Sequence, residues 1–241
     1  GSSLYTAWQN MLKTAFIRVN VVGSSVPSGF FERISENFAL LDRKDITLPK
    51  ISAPTKENKT VSKVTDRMDV KQGKLCLGFS SEMYGNDDDS LPLMIMCDIF
   101  GGGPYSRLFS NVREKMSLCY YCSASAVRQK GLITVESGIE TENAEKAEKE
   151  ILNQLETVKK GEFTDFEFES SIKSVCDSLS SYGDSQASID TWYTMKINNN
   201  GTYSPIEIAE RIKAITRDEV TAAAKGVKLH TVYKLLPKEE K

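Results

Sequence analysis

Residues 101–120 read GGGPYSRLFSNVREKMSLCY and carry the most informative pattern in the chain. Three consecutive glycines let the backbone adopt positive φ angles and let another segment approach closely. Pro104 favours the start of a helix, and the spacing of Leu108 and Val112 predicts one apolar helical stripe. From Leu118 onwards the apolar residues alternate with other residues, as they do in strands. The stretch therefore predicts a turn, a helix and a strand in succession.

Two polar side chains of this stretch are candidates for a shared site. Arg113 lies near the end of the predicted helix, and Tyr120 lies early in the predicted strand. Judged by residue type alone, such an arginine is usually solvated and such a tyrosine usually packs half-buried. A cleft that both residues face is the alternative. Their spacing leaves both interpretations open.

The same stretch resembles a motif of the insulinase-type zinc peptidases, the inverzincins, which include pitrilysin and mitochondrial processing peptidase. The motif is GGG-x-x-S-R-L-F-x-x-V-R-E-K-x-x-L-x-Y, and the chain matches it in order, including the spacing from Arg113 to Tyr120. In that family each half-molecule has two related α/β domains. The motif belongs to the second domain of the half that lacks zinc, and the resemblance implies that fold for nearly the whole chain.

The resemblance also implies roles for individual residues. In the family, the arginine and the tyrosine hold the backbone of a bound peptide opposite the zinc, which implies that Arg113 and Tyr120 bind substrate. It also implies that the glycine loop, with Gly102 and Gly103, lies beside the peptide cleft. A helix end followed by a turn is the other interpretation of these glycines. A guanidinium and a phenol can both donate to peptide carbonyls without recognising side chains.

The flanking segments are predicted from the spacing of their apolar residues. Three capping boxes, which begin at Thr164, Ser204 and Thr216, mark helix starts. The turn signal Gln72-Gly73 predicts that the strands beside it form a hairpin. In order, the predicted elements are a helix through residues 4–12, a strand at 17–21, a helix at 31–41, a surface connection at 43–60, strands at 64–70 and 75–79, an acidic loop at 86–90, a buried helix at 91–99, strands at 118–126 and 132–137, helices that begin near residues 144, 164, 189, 204 and 216, and a final strand at 227–235.

Paired strands with helices gathered after them indicate the α+β class, with a mixed or antiparallel sheet covered mainly on one face by helices. Residues 1–13 are interpreted as the end of a helix from a missing upstream domain. Residues 14–241 are interpreted as the second, C-terminal domain of an insulinase-type peptidase. Because the chain lacks an initiator methionine, we expect a fragment of a longer protein, with Gly1-Ser-Ser as a cloning remnant.

The composition argues against several classes of protein. The chain has 241 residues and a net charge of −2, whereas nucleic-acid binding usually leaves a basic footprint. No apolar run approaches the roughly 18 residues of a membrane span, and the first residues lack the layout of a signal peptide. The five cysteines show no framework spacing, which favours free thiols in a reducing compartment. We therefore expect a cytoplasmic protein that binds neither nucleic acid nor a membrane.

A zinc site of this family requires H-x-x-E-H, in which two histidines ligate the metal and the glutamate is the base. The chain contains one histidine, His230 in the last predicted strand, so the motif is impossible here. His230 is interpreted as a surface strand residue. The chain is expected to bind no cofactor and to be inactive alone, with zinc supplied by a partner half.

Three further patterns are weaker candidates. Cys119 and Cys122 have the C-x-x-C form, but residues three apart in a strand point to opposite faces, so a shared metal or redox role is not expected. The loop at residues 101–104 fits neither phosphate-loop pattern. Residues 87–89 are three aspartates without the spacing of a calcium loop, and they are interpreted as solvated.

The sequence thus predicts a non-catalytic, substrate-binding domain of an insulinase-type zinc metallopeptidase. Its expected partners are a peptide substrate and a zinc-bearing half, either in the same polypeptide or as a separate subunit. Two alternatives stay open. One is a scaffold, because some relatives in respiratory complexes keep this fold and serve assembly. The other is a free-standing peptide-binding module that presents an exposed sheet edge.

Overall fold

The computed structural model describes residues 1–43, 46, 60–85, 87–198 and 203–238. Most of the predicted connection at 43–60, and the side chains of residues 86–89, lie outside this description. The described residues contain five strands, namely β1 (Ser62–Met68), β2 (Gly73–Ser81), β3 (Cys119–Val127), β4 (Leu132–Ile139) and β5 (Val227–Pro237).

Eight α-helices accompany the sheet in this part of the chain. α3 begins earlier than its predicted start near Leu91, and a π-helix follows it at Leu108–Lys115. The α-helices are α1 (Ser2–Thr14), α2 (Phe30–Ala39), α3 (Asp87–Gly101), α4 (Ala144–Lys159), α5 (Asp165–Ser180), α6 (Gln186–Asn198), α7 (Pro205–Lys213) and α8 (Arg217–Lys225), and short 3₁₀ turns span Arg128–Lys130, Thr141–Asn143 and Ser181–Asp184.

The five strands form one mixed sheet in the order β1-β5-β2-β4-β3. β5 runs parallel to β1 and antiparallel to β2, while β4 is antiparallel to both β2 and β3. The predicted α+β class with a mixed sheet is therefore confirmed. The predicted hairpin of β1 and β2 is wrong, because β5 lies between these strands and takes the backbone hydrogen bonds that each would have offered the other.

The predicted strand from Ile17 to Val21 does not form. Val19 and Val21 are 40% and 38% exposed, and the Asn20 side chain donates a hydrogen bond of 2.8 Å to Thr194 on α6. An alternating sequence becomes a strand only where a neighbouring backbone exchanges hydrogen bonds with it. None of the strands in the described ranges pairs with this segment.

The helix predicted at the start of the chain is confirmed as α1, but its apolar stripe is not covered. Leu4, Trp8 and Met11 are 76%, 47% and 53% exposed. The helix has no buried residue of its own. Most helical stability in proteins comes from packing of an apolar face, so this stripe is a surface that the rest of the described chain leaves free.

The core lies between the sheet and the helices that cover one of its faces. Leu77 on β2 and Val135 on β4 are paired in register, and both are fully buried with Ile95 of α3. Phe79 and Phe100 meet edge to face, with ring centroids 6.5 Å apart. The apolar helix predicted at 91–99 is thus confirmed as the buried centre of the domain, and its end is fixed against the sheet.

All three predicted capping boxes are present. The hydroxyls of Thr164, Ser204 and Thr216 each accept a hydrogen bond from the backbone N–H three residues later, and the glutamate at that position accepts one from the capping residue in return. Two backbone N–H groups at each helix start are therefore satisfied. These local signals set the starts of α5, α7 and α8.

Candidate functional site

The candidate site lies at the corner where the π-helix meets β3. Gly101 ends α3 so close to the sheet that a Cβ atom there would lie 2.5 Å from the backbone nitrogen of Ala124. Pro104 lies in the turn that follows, and the helix begins only after Arg107. The prediction that Pro104 starts the helix is therefore wrong, because residues 102–106 are needed to turn the chain away from α3.

The helix at this corner has a wide turn at its end. The backbone N–H of Met116 donates to the carbonyl of Asn111, five residues earlier, at 3.1 Å, which is the π-helical pattern. Leu108 and Val112 are fully buried and confirm the predicted apolar stripe. Arg113 is therefore carried on the side of the helix that is only partly covered.

A β-bulge at Tyr120 decides which side chains of β3 face outwards. Cys119 and Tyr121 pair with consecutive residues of β4, so Tyr120 between them is an extra residue. Tyr120 and Tyr121 are both exposed, whereas Cys119 and Cys122 both pack towards the helix-covered core. The prediction that Cys119 and Cys122 point to opposite faces is wrong, because the bulge adds one residue to the alternation.

The guanidinium of Arg113 is held by its neighbours without being buried. It lies 4.6 Å from the ring centroid of Phe109 and 3.6 Å from the carboxylate of Glu114, and its side chain stays 40% exposed. The pKa of the Cys119 thiol is lowered to about 7, first by a hydrogen bond from the neighbouring thiol and further by the charge of Arg113. The charge of Arg113 therefore favours the thiolate form of Cys119.

The phenol of Tyr120 is exposed but already hydrogen-bonded. It donates to the carboxylate of Glu140, the residue that follows β4, and Tyr120 is 54% exposed. A phenol has one proton and lone pairs that can still accept. Arg113 and Tyr120 thus lie at one open corner. The sequence gives no sign of Glu140, because its contact depends on how β3 and β4 pair.

The two glycines that the resemblance places beside the cleft have other neighbours here. Gly102 lines a surface pocket of about 400 Å³ between α3, α5 and the far half of β3, together with Asp98 and Ala126. A Cβ atom on Gly103 would lie 2.9 Å from the ring of Tyr105, whose hydroxyl donates to Asp98 at 2.5 Å. The structure thus places Arg113 on the helix and Tyr120 at the start of the strand that follows it, both partly open to solvent, and it places Gly102 towards the other end of β3.

Arg107, to which the sequence pattern assigns no function, anchors the corner from behind. Its guanidinium donates to Gln154 at 3.1 Å and Thr157 at 3.0 Å on α4, and to Glu167 at 3.3 Å on α5. The side chains of Arg107 and Glu167 are 16% and 10% exposed. The sequence shows Arg107 as the arginine of the S-R-L-F segment. It could not show the role of Arg107, because its partners are more than 40 residues away along the chain.

A metal site needs several ligating side chains close together. In the part of the chain that the structure describes, no three His, Cys, Asp or Glu side chains come together in a way that could hold a metal ion. His230 lies on β5, half-buried, with its Nδ1 atom 2.7 Å from Thr231 Oγ1. None of the helices described here is both long enough and apolar enough to span a membrane.

Comparison with known proteins agrees with the geometry of the fold. The chain is 28% identical over 231 residues to a probable inactive metalloprotease, YmfF, of Bacillus subtilis strain 168, which covers 95% of this chain and 54% of that protein. It is 26% identical over 160 residues to an uncharacterized zinc protease, YmxG, of the same strain, covering 66% of this chain and 38% of that protein. The chain therefore spans about half the length of these relatives, or less.

Solved structures show the same architecture. A conserved protein from Enterococcus faecalis V583 superimposes with a TM-score of 0.86 at 25% identity, covering 100% of this chain and 56% of that one. A protease from Helicobacter pylori superimposes with a TM-score of 0.73 at 20% identity, covering 90% of this chain and 54% of that one. Residues 2–175 match the family model of the Peptidase M16 inactive domain. The chain belongs to that family of non-catalytic peptidase domains, as the motif at residues 101–120 predicts.

Proposed function

We propose that this chain is the substrate-binding, non-catalytic domain of an insulinase-type zinc metallopeptidase, and that it encloses and positions peptides for a zinc-bearing half. In this proposal residues 14–241 form the second domain, and residues 1–13 end a helix that belongs to an upstream domain. The observation that carries the proposal is the exposure of Arg113 and Tyr120 at one corner of the fold.

The chemistry of the corner suits a polypeptide backbone. The guanidinium of Arg113 has five N–H donors, and its stacking on Phe109 restricts its position. Tyr120 adds a hydroxyl that can donate and accept. Two such groups can hold a carbonyl and a neighbouring amide of an extended chain without recognising its side chains. Their contribution is to position the peptide, which matters for a reaction carried out by another half.

The exposed stripe of α1 supports the division of the chain. Leu4, Trp8 and Met11 present apolar surface on a helix that buries none of its own residues. An exposed apolar stripe of this kind is typical of a surface that packs against another domain. An upstream half-domain is the partner in this proposal, and the zinc ligands come from a chain segment with H-x-x-E-H, since His230 is the single histidine here.

The test is a zinc-dependent assembly reconstituted from this chain and its zinc-bearing half. Arg113→Ala is expected to lower kcat/KM about tenfold or more, the loss of one charge-assisted hydrogen bond, and Tyr120→Phe about threefold to tenfold. The controls are Lys115→Ala on the same helix and Tyr121→Phe, the next tyrosine of β3. Both controls should keep wild-type rates, and all four variants should keep the wild-type melting temperature.

Wild-type rates for both Arg113→Ala and Tyr120→Phe would contradict the assigned roles. A failure to find any H-x-x-E-H segment upstream or in a co-purifying subunit would favour the scaffold instead. Peptide binding by the chain alone, unchanged by the zinc-bearing half, would favour a free-standing module.

A further inference from the structure

The pair of thiols beside Tyr120 has no part in the function proposed above. The bulge at Tyr120 turns Cys119 and Cys122 to the same side of β3, where both pack against the helix-covered core. We propose that Cys119 and Cys122 form a reversible dithiol–disulfide pair that reacts with low-molecular-weight disulfides and shifts the backbone that carries Tyr120. The effect on peptide binding rests on the proposed function, whereas the thiol chemistry does not.

The bulge is fixed from the neighbouring strand. Ser137 on β4 pairs with Cys122, and its hydroxyl donates to the backbone carbonyl of Tyr121 at 2.9 Å. Ser137 is 1% exposed and Cys122 is 6% exposed, whereas Cys119 is only partly buried. Cys119 is therefore the more exposed residue of the pair, and Cys122 is the more sheltered one.

The environment divides the two thiols by reactivity. The hydrogen bond from Cys122 lowers the pKa of Cys119 to about 7, against the effect of burial and with help from Ser137 and Arg113. The same hydrogen bond and burial raise the pKa of Cys122. The thiolate is the reactive form of cysteine. Cys119 is therefore suited to attack an external disulfide, and Cys122 is suited to attack the mixed disulfide that this reaction forms.

Three other cysteines provide the contrast within the same chain. Burial raises the pKa of Cys97 to about 12, and burial also raises the pKa of the partly buried Cys76 and Cys176. At neutral pH these thiols are protonated, so exposure alone does not make them reactive. Cys119 differs from them because a second thiol and a guanidinium lie beside it.

The exchange is balanced in atoms and electrons. The Cys119 thiolate attacks one sulfur of an external disulfide such as oxidised glutathione, forms a mixed disulfide and expels one glutathione thiolate. Cys122 then loses its proton to solvent, attacks the Cys119 sulfur and expels the second glutathione thiolate. Two protein thiols are oxidised to one disulfide, and one external disulfide is reduced to two thiols.

Formation of the bond would reach Tyr120 through the backbone. A disulfide usually holds its two Cα atoms about 5.5–6 Å apart, whereas Cys119 and Cys122 pair with Ile139 and Ser137, which lie two residues, or about 6.8 Å, apart on β4. Closing the bond must therefore reshape the bulge. It also removes the thiolate beside Arg113, so both groups of the candidate site are affected at once.

The direct test uses the reduced full chain and oxidised glutathione at neutral pH. Intact mass should fall by the mass of two hydrogen atoms, and alkylation mapping should show protection of Cys119 and Cys122 before Cys76 or Cys176. Cys122→Ala should stop at a stable mixed disulfide on Cys119, and Cys119→Ser should react no faster than the control cysteines. A mixed disulfide that persists in the wild type, or a first reaction at Cys176, would overturn the proposal.

The second test separates this proposal from the proposed function. Hydrogen exchange of residues 119–122 should change on oxidation, and unchanged exchange would overturn the shift of Tyr120 whatever the peptide results. With a peptide substrate, oxidation should change Kd by about tenfold, as expected for one lost charge-assisted hydrogen bond. If the reduced chain binds no peptide, the proposed function fails. Intact mass still shows whether the disulfide forms, and hydrogen exchange of residues 119–122 still shows whether the bulge changes.

Discussion

Tyr120 donates its phenolic hydrogen bond to the carboxylate of Glu140, which joins the bulged start of β3 to the residue that follows β4. The hydroxyl has a single proton. A carbonyl of a bound peptide can take that proton only by displacing Glu140. Glu140 thus holds the phenol of Tyr120 in place. It also competes with a peptide carbonyl for the phenolic proton.

This competition gives the first prediction. Glu140→Ala is expected to tighten peptide binding about threefold to tenfold, because the proton of Tyr120 becomes available for one further hydrogen bond. Isothermal titration with a substrate peptide measures the change. In the Tyr120→Phe background the same substitution should have no effect. An equal gain in that background would show that Glu140 acts through its charge and not through Tyr120.

The second prediction concerns the contact between α3 and β3. Gly101→Ala is expected to lower the free energy of unfolding by about 2 kcal/mol or more, because the new Cβ would lie 2.5 Å from a backbone nitrogen that cannot move aside. Gly183→Ala is the control, since nothing lies within 4 Å of the added atom. Urea denaturation of both variants measures the difference, and similar values for the two would contradict the close approach.

The third prediction concerns Arg107. Arg107→Ala is expected to lower the free energy of unfolding by about 3 kcal/mol, because the buried carboxylate of Glu167 loses its cationic partner and keeps only its capping-box bonds to Thr164. Arg107→Lys should recover only part of the loss, since an ammonium cannot reach Gln154, Thr157 and Glu167 together.

Lys173→Ala is the control for Arg107, because Lys173 pairs with Asp177 at a fully solvated position and should contribute little. Chemical denaturation followed by circular dichroism compares the three variants. If Arg107→Ala and Lys173→Ala were equally mild, the three bonds of Arg107 would not hold α4 and α5 to the corner.

The fourth prediction concerns pH. Burial alone would raise the pKa of Glu148, but hydrogen bonds from Lys234 and Lys63 outweigh it, so this pKa lies below its ordinary value. The ion pairs, at 2.8 and 3.0 Å, join α4 to β5 and β1. A lowered pKa stabilises the fold above the unfolded-state pKa, and this contribution is lost as pH falls through the folded-state pKa.

Glu148→Gln is therefore expected to cost about 3 kcal/mol at neutral pH, and the gap from the wild type should close as pH falls below the ordinary pKa of a glutamate, about 4.3. Urea denaturation at a series of pH values measures the gap. Glu156→Gln on the same helix, whose pair with Lys159 is more exposed, should cost less than about 1 kcal/mol. A gap for Glu148→Gln that stays constant with pH would contradict the lowered pKa.

Local signals in the sequence predicted local structure well. The capping boxes at Thr164, Ser204 and Thr216 act within four residues, and each starts a helix as predicted. The apolar run at 91–99 is buried as predicted, because a helix without a polar side has to lie inside the domain.

Features that depend on distant partners could not be predicted in this way. Gln72-Gly73 has the composition of a hairpin turn, but the sheet places the last strand of the chain between β1 and β2. At the candidate site, the motif identifies Arg113 and Tyr120. It does not predict which face of β3 each side chain of that strand occupies. A single extra residue at Tyr120 reverses the alternation of side chains between the two faces of β3 and puts Cys119 and Cys122 on the same face. The C-x-x-C spacing does not predict that bulge.

The position of β5 has a consequence for synthesis of the chain. β1 has β5 as its strand partner, and β5 consists of residues 227–237. On the ribosome, β1 emerges before the other described strands and has no strand partner until β5 is made. The facing edges of β1 and β2 therefore stay open until β5 pairs with both of them. We expect the yield of the folded chain to depend on chaperones that bind unfinished polypeptides.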